Sequence, residues 1–270
     1  MSYFEALILG IIEGITEFLP ISSTGHLIIA SDLLNIPPSP FVKAFEVIIQ
    51  SGAILAVIWH YRQYLFKELL ADAIINKSEK ALREILYVLV AFLPAAIIGL
   101  LFHSKIKIYL FNSSSVALAL LVGGLFMLWV EHRKKKKSHC DQMNYKKALA
   151  IGFCQCFALW PGMSRSMSTI VGARLLGFSQ KRAAEFSFIL AIPTIVGASV
   201  YDGLKEGKAL LENPSAAALL SIGLVSSFFV ALIVIRSFLR YLNKGDFKPF
   251  AWYRIIFAIV FFVYLTAKSS

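Results

Sequence analysis

The chain has 270 residues, 58% of them hydrophobic and only 16% charged, with a mean hydropathy of +0.71. A soluble domain carries about a quarter of its residues as charges, so a soluble fold is excluded. The net charge of +11 and the three cysteines then have to be explained on a membrane protein.

Eight apolar segments follow one another, roughly at 4–30, 41–60, 85–102, 116–130, 148–176, 183–201, 216–239 and 250–267. Stretches 85–102, 116–130, 216–235 and 255–267 hold no charge at all. Each is close to the ~20 residues that cross about 30 Å of hydrocarbon. The expected class is all-α, a polytopic membrane protein. No cleavable leader is expected, because Glu5, Glu13 and Glu17 interrupt the first apolar stretch and no basic region precedes it.

The first and fifth segments differ from the rest. The first reads EGITEFLPISSTGH at 13–26, and the fifth contains WPGMSRS at 160–166. Proline removes a backbone donor and obstructs the preceding turn, while the hydroxyls behind it favour the start of a new helix. Each segment is therefore predicted as a half-helix, a tight turn and a second half-helix.

An echo follows each break: Glu46 stands 26 residues after Pro20, and Glu185 stands 24 after Pro161. The chain reads as one integral membrane domain of two halves, 1–132 and 143–270, joined by a basic loop. Internal symmetry of this kind is common in membrane proteins built from repeats.

If the broken segments are re-entrant hairpins, the loops at 60–84, 131–147, 174–183 and 240–250 share one side with 18 Lys and Arg, against 6 on the other. Eight full crossings would give the blunter split of 15 to 9. The positive-inside rule thus favours six transmembrane helices plus two re-entrant hairpins in an inverted repeat. Both termini are then outside and the joining loop is cytoplasmic. The positive charge belongs to membrane orientation rather than to nucleic acid.

Glu13 and Glu17 are spaced i, i+4 and share a helix face, where two carboxylates near hydrocarbon need a metal ion, a proton or an arginine. Ser22, Ser23 and Thr24 begin the next half-helix, whose free N–H groups suit an anion. His26 lies one turn on and can exchange protons. Ser164, Arg165 and Ser166 repeat the arrangement with a guanidinium suited to phosphate or to Glu13 or Glu17 as counter-ion. Glu46 and Glu185 either support such a site or sit at the interface. Arg236 and Arg254, near segment ends, are expected to snorkel to headgroups. Cys154 and Cys156 read as reduced packing residues, and His132, His139 and Cys140 fit no common zinc spacing. The residues alone point to an intramembrane phosphate site and leave its substrate open.

The stretch at 13–26 resembles the first signature of the bacterial undecaprenyl pyrophosphate phosphatases of the bacitracin-resistance type. PGMSRSMST at 161–169 resembles their second signature, P-G-x-S-R-S-x-x-T. FEVIIQ at 45–50 and EFSF at 185–188 are similar as well. Ser51 and Cys154 depart from the family's habit without touching either motif.

The resemblance implies a phosphoric anhydride hydrolase of the bacterial inner membrane. It would convert undecaprenyl diphosphate to the monophosphate, recycling the carrier lipid for peptidoglycan synthesis and conferring bacitracin resistance. It also implies a divalent cation, Mg²⁺ or Ca²⁺, and a site open to the periplasmic side. Carried onto this chain, Glu13 and Glu17 would hold the metal or manage protons. Glu17, Ser23, His26 and Arg165 would be catalytic. Ser22, Thr24, Ser164, Arg165, Ser166 and Thr169 would hold phosphate.

Two attacks are open: Ser23 as nucleophile with His26 or a glutamate as base, or a metal-bound water with Ser23 only positioning the phosphate. The sequence does not separate them. The rival reading is an ion-coupled transporter or a flippase for polyprenyl lipids working from the same midplane site. A homodimer is a further expectation, on which the residues themselves are silent.

Overall fold

In the computed structural model, which describes residues 1–133, 141–211 and 214–269, every element is helical. The basic run at 134–140, part of the expected joining loop and including His139 and Cys140, lies outside the described residues.

Among the described residues six helices are long and apolar enough to cross a membrane: Pro40–His60, Glu79–Phe102, Ser113–Arg133, Gln180–Tyr201, Ala216–Tyr241 and Lys248–Lys268. They belong to α3 (Pro40–His60), α5 (Glu79–Leu110), α6 (Ser113–Arg133), α9 (Gln180–Leu211), α10 (Ala216–Tyr241) and α11 (Lys248–Ser269). These six fit a multi-pass membrane protein. Helices α5 and α9 outrun the apolar segments at 85–102 and 183–201, because hydropathy marks the part in hydrocarbon rather than the end of the hydrogen-bond ladder.

The other two apolar segments are broken. The first is α1 (Tyr3–Thr16) followed by α2 (Ser23–Leu33). The second is α7 (Tyr145–Cys156), a 3₁₀ turn at Phe157–Leu159 and then α8 (Arg165–Leu175). Helix α1 opens on a capping box. Ser2 accepts from the Glu5 N–H at 3.2 Å, and the Glu5 carboxylate accepts from the Ser2 N–H at 2.7 Å.

One stretch taken for a loop in the sequence is ordered. Tyr64–Ala71 forms a π-helical turn leading into the single turn α4 (Asp72–Ile74). Leu65 and Leu69 are buried there in a small cluster with Ile189 of α9. The charges of Lys67 and Glu68 masked that apolar face.

Each broken segment packs on a span from the other half of the chain: α1 on α10, and α7 on α5. Between them α3 lies against α9, and α6 against α11. Gly10 and Gly14 make the first contact close. A Cβ at Gly10 would meet the Gly223 carbonyl oxygen at 2.6 Å, and one at Gly14 the Ser227 carbonyl oxygen at 2.7 Å. Small residues four apart let helix backbones approach in this way. The largest apolar cluster surrounds the breaks, with the Phe18 and Phe188 rings edge to face at 5.1 Å.

Candidate functional site

The two breaks have the same local shape. Ser22 and Ser164, the residues before α2 and α8, both sit in the left-handed region at φ 73° and 72°. Non-glycine residues there cost of order 1–3 kcal/mol and persist only where the surroundings impose them. Both helices therefore begin inside the breaks, each offering unpaired N–H groups and the positive end of its dipole. The caps differ: the Ser164 hydroxyl accepts from the Met167 N–H at 3.2 Å, while Ser22 makes no side-chain cap.

What imposes the shape is largely Arg254, fully buried on α11. It donates to the carbonyls of Pro20 (3.3 Å) in the first break and Gly162 (3.0 Å) in the second. It also donates to the carbonyls of Leu120 (3.3 Å) and Ala119 (3.1 Å) on α6. The expectation that Arg254 snorkels to headgroups is thus corrected, because four backbone acceptors hold it in the interior. Arg236 is exposed, as that reading requires. Gly162 completes the second turn at φ 95°, where a Cβ would lie 2.4 Å from the Val116 carbonyl oxygen.

The charged centre spans the two breaks. Arg165, the first residue of α8, donates to Glu17 at 2.9 Å and to the Ser187 carbonyl at 3.1 Å. The Ser23 hydroxyl donates to the other Glu17 oxygen at 2.7 Å. This ion pair is nearly buried, with side chains 11% and 9% exposed. The Arg165 guanidinium also lies 5.6 Å from the Phe18 ring centre, and its Nε has no acceptor. Glu13 is completely buried one turn before Glu17, and neither of its carboxylate oxygens has a hydrogen-bond partner. A buried carboxylate in that state calls for a proton or a cation.

A hydroxyl chain seals the seam. Ser166 donates to the Leu19 carbonyl at 2.9 Å and lies 2.9 Å from the Ser164 hydroxyl. Thr169 donates to the Arg165 carbonyl at 2.9 Å and meets the Ser187 hydroxyl at 2.7 Å.

His26, one turn into α2, faces elsewhere. Its Nδ1 bonds the Ser22 carbonyl at 2.7 Å, so that nitrogen carries the proton. Its Nε2 lies 2.7 Å from the Tyr253 hydroxyl. The ring stacks on Phe257 at 4.1 Å.

The family description "Bacitracin resistance protein BacA" matches residues 6–260. The chain belongs to the BacA family. An undecaprenyl-diphosphatase of Nitrosomonas europaea is 50% identical over 269 residues, 98% of this chain and 95% of the relative. One from Sorangium cellulosum is 48% identical over 260 residues (94% and 84%), and one from Pseudomonas putida 47% over 258 residues (95% and 91%).

Within this BacA-family chain, Glu17, Ser23 and Arg165 are brought into direct contact, with Glu13 beside them. Ser22, Thr24, Ser164, Ser166 and Thr169 all lie at the starts of α2 and α8. The hydroxyls of Ser166 and Thr169 are already engaged with backbone and neighbours, whereas Ser22 and Ser23 are buried next to the centre. Ser23 bonds Glu17 rather than His26.

Glu46, on α3, accepts from Ser31 of α2 at 3.2 Å and lies within electrostatic reach of Glu13. Glu185 lies within electrostatic reach of Tyr61 and Tyr64. Arg254, Tyr253 and Ser187 were not legible as site residues; each reaches the breaks from a helix distant in sequence. Cys154 and Cys156 are partly buried, as packing residues would be. Among the described residues no group of three or more His, Cys, Asp or Glu is placed to hold a metal ion.

Proposed function

We propose that this chain hydrolyses undecaprenyl diphosphate to undecaprenyl phosphate and phosphate, through attack by Ser23. The observation that carries the reading is the buried chain from Ser23 through Glu17 to Arg165, closed across the two breaks. A serine hydroxyl is a weak nucleophile until a base takes its proton, and Glu17 already accepts that hydrogen bond.

In the first step Glu17 removes the Ser23 proton and Oγ bonds to the terminal phosphorus. The bond from phosphorus to the bridging oxygen breaks, and the lipid monophosphate leaves. Glu17 passes that proton to the departing lipid monophosphate. In the second step it takes a proton from the water that attacks the phosphoserine phosphorus and returns it to Ser23 Oγ as the P–Oγ bond breaks. This frees inorganic phosphate and restores both residues. Arg165 and the N–H groups that open α2 and α8 would stabilise the charge gathered on the equatorial oxygens, and such pre-placed donors contribute most of phosphoryl-transfer catalysis. His26, bonded to the Ser22 carbonyl, holds the turn that presents Ser23 and keeps its Nε2 for proton exchange with Tyr253.

A divalent cation, Mg²⁺ or Ca²⁺, fits this centre. Glu13 offers two unpartnered buried oxygens next to Glu17, and Mg²⁺ with phosphate substrates commonly needs only one or two carboxylates. When bound, the cation would neutralise charge on the diphosphate.

Symmetric packing supports a repeat of the two halves, and the loop charge count makes it an inverted one with two re-entrant hairpins. Exchanging the halves turns the α1–α10 contact into the α7–α5 contact and leaves the α3–α9 and α6–α11 pairs in place. The positive loops would then lie in the cytoplasm of a bacterial inner membrane and the site would open outward.

The test is phosphate release from undecaprenyl diphosphate by purified protein in detergent, with and without chelator. Release that stops on chelation and in Ser23→Ala supports the reading. No release from wild type, as a pure transporter would give, or full activity in Ser23→Ala, would sink it.

A further inference from the structure

A groove remote from the chemistry lies where α3 ends, between the π-helical turn and α10. It encloses about 580 Å³ and is lined by Leu55, Trp59, Phe66 and Phe228, with Arg62 and Lys67 just past the end of the α3 span. Trp59 and Phe66 are 52% and 55% exposed.

The cations here are arranged rather than loose. The Arg62 guanidinium sits 4.9 Å from the Trp59 ring centre and donates to the Trp59 carbonyl at 2.9 Å. Arg236 of α10 lies within electrostatic reach of His60 alongside Arg62. Among the described residues none of Arg62, Lys67 and Arg236 forms an ion pair, and neighbouring Glu68 pairs with none of them. Positive charge therefore gathers without an acid, above an apolar wall, at the depth where a membrane span ends. A π-helical turn, rare in itself and frequent at functional places, carries Phe66 and Lys67.

We infer that this groove binds an acidic phospholipid of the surrounding bilayer, its headgroup phosphate on Arg62 and Lys67 and an acyl chain along Trp59, Leu55 and Phe228. Basic pockets at the cytoplasmic ends of membrane helices hold anionic headgroups by this combination. The surplus of cations selects against zwitterionic lipids, and the apolar wall selects against free phosphate.

The full-length protein is reconstituted in nanodiscs containing equal phosphatidylglycerol and phosphatidylcholine, released, and weighed by native mass spectrometry. Wild type should retain phosphatidylglycerol in excess, on the order of ten-fold for two cations near a lipid surface. The excess should vanish in Arg62→Gln/Lys67→Gln. It should survive in Arg133→Gln, which removes an exposed arginine stacked on Trp129 at 4.3 Å outside the groove. Should the double variant not fold, Lys67→Glu serves in its place. Equal retention by wild type, an excess surviving the double variant, or an excess lost with Arg133→Gln would each overturn the site. Lipid retention is read without turnover, so its failure is distinct from failure of the proposed hydrolysis.

Discussion

The guanidinium of Arg165 donates in two directions, to the Glu17 carboxylate and to the Ser187 carbonyl. A lysine ammonium cannot reproduce that planar fork. Arg165→Lys is therefore expected to lower kcat by about 100-fold or more, the scale of losing one pre-placed donor to a developing oxyanion. Steady-state phosphate release measures it, and a variant within a few-fold of wild type would remove Arg165 from the chemistry.

Glu13 makes a different prediction. No donor reaches its carboxylate oxygens, so Glu13→Gln should leave the fold intact while raising the divalent cation concentration for half-maximal rate by about ten-fold, the scale of losing a partner at a metal site. An unchanged metal titration would assign Glu13 a proton instead. Both glutamates were legible from their spacing, because two acids in an oily segment have few innocuous explanations. Arg254 was not: one arginine near the end of an apolar run looks like any interfacial anchor until the carbonyls it meets are known.

Each break joins two short helices around a left-handed serine, and neither turn is held by its own sequence alone. The prolines and hydroxyls announced both interruptions. The turn shapes were hidden because Ser22 and Ser164 owe their conformations to α6 and α11. Arg254→Met removes donors to both turns at once and leaves their carbonyls buried. It is expected to destabilise the protein by about 3–5 kcal/mol, the usual cost of taking one partner from a buried charged network, seen as a lower Tm in detergent.

Gly162→Ala places a Cβ at φ 95° against the Val116 carbonyl. It should cost about 1–3 kcal/mol and lower kcat together with Tm, since the same turn sets the start of α8. A thermal transition unmoved by either substitution would mean that the breaks are held by something else.

At the scale of the molecule, each half contributes one break, and the centre exists only where the two meet. Eight apolar segments were countable from hydropathy, the first and fifth of them broken, and the loop charges reduced the expected spans to six. Which helix packs on which was not countable, because apolar faces in lipid carry little pairing information.

The proposed inverted arrangement makes a topological prediction. In a background without native cysteines, Ser2→Cys and Pro37→Cys should both react with a membrane-impermeant thiol reagent from outside intact cells. Lys181→Cys should react only after the membrane is opened. Opposite labelling of Ser2→Cys and Pro37→Cys would mean that the first broken segment crosses fully.

The most direct test of the account is covalent. Purified protein is mixed with undecaprenyl diphosphate labelled in its terminal phosphate, quenched in acid within the first turnover, and digested for peptide mass spectrometry. The account predicts label on Ser23, lost in Ser23→Ala. Label found only as free phosphate at every quench time, with Ser23→Ala still turning over at the wild-type rate, would contradict it.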